Sequence, residues 1–156
     1  LGCGGVARTM AYEAVLADND LTLAVRKDDI NMANDLKKEL ESIKETEVKV
    51  CLLDELSGEI DVLVNATPVG MFPKIDNCPV SDEIIKNSKA VFDAIYNPLE
   101  TQLVQKAKAF GNKAIGGMAM LVWQAVVAQQ KWNDVTFNKD DINQLCIDCL
   151  EELKNK

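Results

Sequence analysis

The chain begins LGCGGVARTMAYEAVLA (residues 1–17), a segment in which glycines run directly into helix-forming residues. Val6, Met10, Ala14 and Ala17 recur at the spacing of one helical face. The segment therefore predicts a tight turn that enters a helix.

Residues 2–7 (GCGGVA) fit the pattern G-x-G-x-x-(G/A) that opens dinucleotide-binding units. The first glycine permits a tight turn, the second lets a pyrophosphate approach the backbone, and a small third residue allows close helix packing. The amino end of the helix adds N–H donors and a positive dipole end. The pattern is weak alone, but a helix and then a strand follow at the right distance. It predicts that a phosphate contacts Gly2, Gly4, Gly5, Val6 and Ala7.

Short apolar segments alternate with helical segments along the rest of the chain. Such alternation is typical of a parallel sheet whose crossovers are helices. We predict one Rossmann-type, doubly wound α/β domain covering residues 1–156. The strands are predicted at 21–25, 48–53, 60–66, 89–96 and 113–115, and the helices at about 28–44, 81–87, 97–111, 117–132 and 139–154.

The predicted helix at 97–111 carries signals for both of its ends. Asn97 is the expected N-cap, Pro98 suits the first turn, and Glu100 completes a capping-box pattern. Gly111 is the expected end of the helix.

The first strand of the expected sheet is largely missing from the chain. A dinucleotide-binding unit normally opens with a complete strand, and here only Leu1 precedes the first glycine. We therefore expect a slot in the middle of the sheet, with neighbouring ladder hydrogen bonds unmade. We also expect the natural chain to extend further at its amino end.

The residue after the second strand of such a unit selects the cofactor. An acidic residue there binds the ribose 2′-hydroxyl of NAD, and a basic residue accommodates the 2′-phosphate of NADP. Here the strand ends in Arg26 and Lys27, which predicts NADP, whereas Asp20 precedes the strand and lies at the opposite edge. Two alternatives stay open: Arg26 is an ordinary solvated charge, or Asp28 and Asp29 turn back to bind a ribose of NAD.

The composition argues against several classes of partner. The 156 residues carry 17 Lys and Arg against 25 Asp and Glu, a formal charge of -8, which repels nucleic acid and anionic membranes over most of the surface. The chain has no apolar run of about 18 residues and no leader-like start, so we expect a cytoplasmic protein.

The five cysteines do not resemble a disulfide framework, and reduced thiols are expected. Cys146 and Cys149 form a C-x-x-C inside a helical pattern, which suggests redox chemistry or half of a zinc site. Without a second such pair or any histidine, we interpret them as residues on one helix face and predict no metal site.

Three later segments, together with the glycine turn, resemble one family, the shikimate and quinate/shikimate dehydrogenases. They are NATPVGM (residues 65–71), DAIYNP (residues 93–98) with Thr101, and GMAMLVWQA (residues 117–125). The resemblance spans essentially the whole chain.

The resemblance implies roles for individual residues. Arg26 stands where the family has an arginine that packs on adenine and meets the 2′-phosphate. Lys27 replaces a common threonine or serine, and Ile30 replaces a further basic residue, so both positions depart from the family. The residues implied beside the ribose and nicotinamide are Asn65, Ala66, Thr67, Gly117 and Met120, and those implied near the substrate are Tyr96 and Gln124.

Tyr96 and Gln124 also have simpler interpretations. Tyr96 is alternatively an aromatic at a strand end that packs on the core. Gln124 interrupts a helix that is otherwise apolar over residues 118–128, where an unpaired amide is costly if buried. The alternative for Gln124 is a partly exposed glutamine.

The resemblance implies NADP-dependent, reversible reduction of 3-dehydroshikimate to shikimate, with this chain as the cofactor-binding half. In the family a lysine and an aspartate from an amino-terminal substrate domain serve the proton transfer, and no segment here matches that domain. We therefore assign no catalytic acid or base to this chain, and expect negligible turnover from it alone.

Other functions remain open at this point. They are a quinate/shikimate dehydrogenase that uses NAD, a non-catalytic NADP-binding module, and an amino-acid or folate-linked Rossmann dehydrogenase. The retained Tyr96 and Gln124 favour the enzyme over the module, and NATPVGM with DAIYNP counts against the last. Shikimate or quinate preference and a possible homodimer are not decided by the sequence.

Overall fold

A computed structural model describes residues 1–154 of the chain, and it confirms the predicted alternation of strands and helices. A 3-10 turn, Lys27–Asp29, leads into the second helix. The strands are β1 Thr22–Val25, β2 Lys49–Leu52, β3 Ile60–Asn65, β4 Ser88–Asp93 and β5 Lys113–Ile115. The helices are α1 Gly5–Leu16, α2 Ile30–Ile43, α3 Asp82–Lys86, α4 Gln102–Ala109, α5 Met118–Asn133 and α6 Lys139–Lys154.

All strand pairs in the described residues are parallel, but they form two sheets rather than one. In the first sheet β1 lies beside β2, with Thr22 opposite Lys49. The second sheet has the order β3-β4-β5, with Asn65 opposite Asp93. The arrangement matches the predicted doubly wound α/β plan, with its parallel strands divided between two sheets.

The main chain of Leu1 and Gly2 runs between the two sheets. The amide of Gly2 donates to the Ala24 carbonyl of β1 at 3.0 Å. On the other side, Leu1 donates to the Val64 carbonyl of β3 and accepts from Ala66 N–H. These two residues therefore hydrogen-bond to both sheets, at the place where the sequence predicts the end of the first strand.

Each sheet packs its own hydrophobic core. The first core joins α1 and α2 to β1 through residues such as Val15, Leu36 and Leu40, none more than 2% exposed. The second joins α3 and α4 to the β3-β4-β5 sheet, with Ile85 and Leu103 fully buried. The helices thus cover the two halves of the domain separately.

Helices α5 and α6 pack on each other around a third cluster that contains Val122, Val126 and Ile142. Cys146 and Cys149 are half-buried against this cluster, which agrees with their interpretation as packing residues of a helix face. All five cysteines are free thiols. Within residues 1–154, none of the helices combines the length and the apolar character needed to cross a bilayer.

The predicted start of the fourth helix is wrong. The helix α4 begins at Gln102, and its N-cap is Thr101, whose hydroxyl accepts a hydrogen bond from Val104 N–H. Asn97 lies outside the helix because Thr101 supplies the cap four residues later. The Thr101 side chain is held in place by its hydrogen bond to the buried Asp93. Gly111 follows the helix with a left-handed φ of 87°, as expected.

Candidate dinucleotide-binding site

The glycine turn lies at the carboxyl ends of β1 and β3. Gly2 has a φ of 90°, and a Cβ there would meet Thr67 Cγ2 at 3.0 Å and the Ala66 carbonyl at 3.3 Å. Only glycine combines that backbone conformation with such a close approach. The turn therefore lies close against residues 66 and 67, for which the family resemblance implies a position beside the ribose and nicotinamide.

The other side of the turn is open. No atom lies within 4 Å of a Cβ built on Gly4 or on Gly5. The first bond of α1 runs from Arg8 N–H to the Gly4 carbonyl at 2.8 Å, so the amides of Gly5, Val6 and Ala7 lie ahead of the helical ladder. This is a backbone cradle of the kind that holds a pyrophosphate.

The turn after β1 lies next to the glycine turn. Cys3 donates from its Sγ to the Asp29 carbonyl at 3.8 Å, which joins the two segments. The Arg26 side chain is exposed, and its Nε and Nη2 both lie 2.8 Å from Asp29 Oδ2. This hydrogen bond and the charge of Asp29 raise the pKa of Arg26. Lys27 is also exposed in this turn.

A buried polar network ties together the loops that follow β3 and β4. Asp93 Oδ1 accepts from Asn65 Nδ2 and from Ile95 N–H, each at 3.0 Å, and Asp93 Oδ2 accepts from the Thr101 hydroxyl at 2.6 Å. Asn65 Oδ1 in turn accepts from the amide and hydroxyl of Thr67. The side chain of Asn65 therefore holds the shape of the loop, because both ends of its amide are hydrogen-bonded to protein groups.

Asp93 has no exposed surface. Burial raises the pKa of its carboxyl, and the hydrogen bonds from Thr101, Ile95 and Asn65 oppose that rise. All three recorded partners donate, so the network is arranged for an acceptor-only carboxylate.

The loops beyond β3 and β4 enclose a mainly apolar cavity of about 340 Å³. It begins at Val6 of the glycine turn, and Tyr96 stands at it with 44% of its surface exposed. The interpretation of Tyr96 as a core aromatic is therefore not favoured. The remaining lining residues are Ala66, Thr67, Pro68, Met71, Phe72, Ala94, Ile95 and Asn97.

Helix α5 begins against the same cavity. A Cβ on Gly117 would lie 2.1 Å from the Ala94 carbonyl oxygen, and Gly117 N–H donates to the Ile95 carbonyl at 2.9 Å. Glycine is thus required for α5 to start beside the loop that lines the cavity. Met120 and Gln124 follow on the same helical face, but neither lines the cavity.

Gln124 is exposed in the structure. Because its side chain is exposed, the expected cost of a buried, unpaired amide does not arise here. Its substrate-binding role rests on the family resemblance alone.

Several residues of the site carried no role in the sequence analysis. Asp93 and Thr101 stood there only as parts of a motif, and Phe72 was not considered. The available signal was the pairing of parallel strands: Asn65 and Asp93 end neighbouring strands, so their side chains meet at one edge.

The sheet topology, the glycine turn and the adjoining cavity define the chain as a Rossmann-type dinucleotide-binding domain. No family model matches the chain. It is 39% identical over 152 residues to the NADP(+)-dependent shikimate dehydrogenase of Methanocaldococcus jannaschii, covering 94% of this chain and 53% of that protein. It is 35% identical over 156 residues to that of Clostridium perfringens, covering 99% and 54%.

Solved structures agree. A chorismate mutase/shikimate 5-dehydrogenase fusion from Clostridium acetobutylicum matches with a TM-score of 0.85 and 32% identity, over 98% of this chain and 53% of that one. A shikimate dehydrogenase in complex with NADP+ matches with a TM-score of 0.82 and 37% identity, over 96% and 53%. Quinate dehydrogenase from Corynebacterium glutamicum in complex with NAD gives 0.80 and 27%, over 92% and 51%.

The chain is thus homologous to part of these NADP(+)-dependent shikimate dehydrogenases. It spans about half the length of the curated relatives that it matches.

Proposed function

We propose that this chain is the cofactor-binding half of an NADP-dependent shikimate dehydrogenase, which reversibly reduces 3-dehydroshikimate to shikimate. One observation carries the proposal. The open phosphate cradle at Gly4 and Gly5 and the cavity lined by Thr67 and Tyr96 adjoin through the contact of Gly2 with Thr67. A dinucleotide bound at the cradle would therefore extend its other end to the cavity where a substrate can meet it.

The chain's own residues fit such a cofactor along its length. The amides of residues 5–7 face the phosphates, and Arg26 is the partner for a 2′-phosphate. The loop at residues 65–67 and the start of α5, with Gly117 and Met120, flank the ribose and nicotinamide. When bound, NADPH supplies the hydride, and the protein contributes position and electrostatics.

Tyr96 and Gln124 are the proposed substrate-facing groups. Tyr96 is exposed at the cavity, and a phenol there is suited to hydrogen-bond a hydroxyl or carboxylate of the substrate. Gln124 lies on the same face of α5 as Gly117 and is free to turn toward a substrate. These groups give the chain more than a bare NADP-binding module needs.

The proton transfer is assigned to residues outside this chain. Asp93, a buried carboxylate one residue before the cavity lining begins at Ala94, already accepts three hydrogen bonds from the protein. It is placed to hold loops rather than to exchange protons with a substrate. The proposal therefore locates the acid–base pair in a separate substrate domain, as the family resemblance implies.

A cytoplasmic location is part of the proposal. Its support is the set of five free thiols, which suits a reducing compartment.

The cofactor part of the proposal is tested by calorimetric titration of the protein, expressed from its complete coding sequence, with NADPH and with NADH. We expect NADPH to bind more tightly, and Arg26→Ala to remove most of the difference. Arg8→Ala is a matched control, because Arg8 is also exposed but pairs with Glu39 on α2 rather than with residues of the 26–29 turn. Equal affinities for the two cofactors would contradict the 2′-phosphate assignment.

The reaction is tested by the absorbance of NADPH formed from NADP and shikimate. We expect Tyr96→Phe to lower kcat/KM for shikimate while leaving NADPH affinity unchanged, because the phenol is proposed to touch only the substrate. If the protein oxidises neither shikimate nor quinate, the enzymatic proposal is overturned.

A further inference from the structure

The guanidinium of Arg26 is already occupied by a carboxylate of its own turn. Both Nε and Nη2 lie 2.8 Å from Asp29 Oδ2, three residues further along the chain. These are two of the donors that a 2′-phosphate would use. The proposed cofactor therefore meets an arginine that is already hydrogen-bonded to a carboxylate of the protein.

Asp29 is the fixed member of this pair. Its amide donates to the Arg26 carbonyl at 3.0 Å, and its own carbonyl accepts from Cys3 Sγ of the glycine turn. Its side chain is 27% exposed, against 71% for Arg26. Asp29 is thus held by hydrogen bonds of its backbone and is the less exposed partner, whereas the side chain of Arg26 is the more exposed partner.

Helix capping does not explain the side chain of Asp29. The residue occupies the N-cap position of α2, where an aspartate usually accepts a hydrogen bond from the first turn of the helix. In this structure its side chain makes no capping bond. The described contacts of the carboxylate are with Arg26.

The local charge also gives a phosphate no net attraction. Arg26 and Lys27 contribute two positive charges to the turn, and Asp28 and Asp29 contribute two negative ones. The next residue, Ile30, adds none. A phosphate monoester carries a charge of about −1.5 to −2 at neutral pH, so it approaches a turn whose net charge is zero.

We propose that Asp29 is a specificity-determining residue, which competes with the 2′-phosphate for Arg26 and so reduces the preference for NADP over NAD. The inference rests on the proposed function, because it assumes that Arg26 meets the 2′-phosphate. It implies that NADPH must displace part of the Arg26–Asp29 pair, whereas NADH binds with the pair intact.

The test is a comparison of Asp29→Asn with Asp28→Asn in the protein expressed from its complete coding sequence. Both variants remove one negative charge from the same turn, but only Asp29 bonds to Arg26. Dissociation constants for NADPH and NADH are measured by calorimetry at fixed salt. We expect Asp29→Asn to tighten NADPH by roughly five- to tenfold, since an exposed ion pair accounts for up to about fivefold and relief of repulsion adds to it.

The same substitution is expected to change NADH affinity by less than about twofold. Asp28→Asn is expected to tighten NADPH by no more than about twofold, because an exposed charge without a shared bond is strongly screened. In an Arg26→Ala background, Asp29→Asn is expected to lose most of its effect, as coupled residues do in a double-mutant cycle.

Three results would overturn the inference. They are equal effects of the two Asn variants, an unchanged NADPH affinity in Asp29→Asn, and a loss of NADH affinity with NADPH unaltered, which would assign Asp29 to the ribose. Failure of the proposed function has a different signature. In that case Arg26→Ala leaves the ratio of NADPH to NADH affinity unchanged, whatever Asp29→Asn does.

Discussion

Replacing Asp93 by alanine removes the acceptor on which the loops around the cavity depend. The amide of Ile95 and the hydroxyl of Thr101 lose their partner, while Asn65 Nδ2 keeps a second acceptor, the Val69 carbonyl at 3.3 Å. Each orphaned buried donor costs about 1–3 kcal/mol. Burial disfavours the ionised form of Asp93, as its raised pKa indicates, so removal of the carboxyl offsets part of this cost. We therefore expect a net loss of roughly 2–4 kcal/mol of unfolding free energy.

Asparagine at the same position separates the hydrogen bonds from the charge. Its carbonyl oxygen still serves Asn65 and Ile95, but its amide group faces the Thr101 hydroxyl as a donor. The hydroxyl oxygen can accept from that amide, but the hydroxyl proton then has no acceptor, so we expect a loss of roughly 1–2 kcal/mol of unfolding free energy. Asp61→Ala is the control, because Asp61 is an exposed carboxylate of the adjacent strand β3, paired with an exposed lysine, and its removal should leave the unfolding midpoint unchanged.

The assay is urea unfolding followed by far-UV circular dichroism. The three variants should share the slope of the wild type, so that a shift of the midpoint measures stability. An Asp93→Ala midpoint equal to that of Asp61→Ala would refute the reasoning. A greater loss for asparagine than for alanine would show that the arrangement of donors described around Asp93 is incorrect.

Three further outcomes are expected. Gly117→Ala should destabilise the chain by more than about 3 kcal/mol, because its Cβ would overlap the Ala94 carbonyl, and retention of the wild-type urea midpoint would contradict the close approach. Gly4→Ala, with open space at its Cβ, should keep that midpoint and raise the Kd for NADPH in calorimetry by at least about tenfold, since a methyl group would occupy the phosphate cradle. The folded protein holds the Asp93 proton more tightly than the unfolded chain, so the contribution of Asp93 to stability should fall as pH rises from near 3.8 through the higher folded pKa. Urea midpoints across that window should therefore fall less steeply for Asp93→Asn than for the wild type.

The order of elements was predictable because each strand is a short apolar run and each helix carries its own periodicity. The fourth helix shows the limit of such local signals. Asn97, Pro98 and Glu100 satisfy the rules for a helix start, yet Thr101 caps the helix. The deciding interaction is the hydrogen bond from the Thr101 hydroxyl to Asp93. Because Asp93 belongs to strand β4, no pattern within residues 97–111 contains this bond.

The candidate site shows the same division. The glycine turn and Arg26 follow from spacing along the chain, whereas the pairing of Arg26 with Asp29 depends on how the 3-10 turn places two side chains. Asn65 illustrates a role that changes in three dimensions. Its motif suggests a ligand contact, but its side-chain amide is hydrogen-bonded to Asp93, Val69 and Thr67. Sequence identifies the neighbourhood of a site more readily than the direction of each side chain.

The division of the strands between two sheets has a consequence for how a bound dinucleotide would act on the domain. Arg26 follows β1 of the first sheet, whereas Thr67 and Tyr96 follow β3 and β4 of the second. A dinucleotide that reaches from Arg26 to Tyr96 would contact residues that follow both sheets. Its binding free energy would therefore favour the folded arrangement in which these residues lie together.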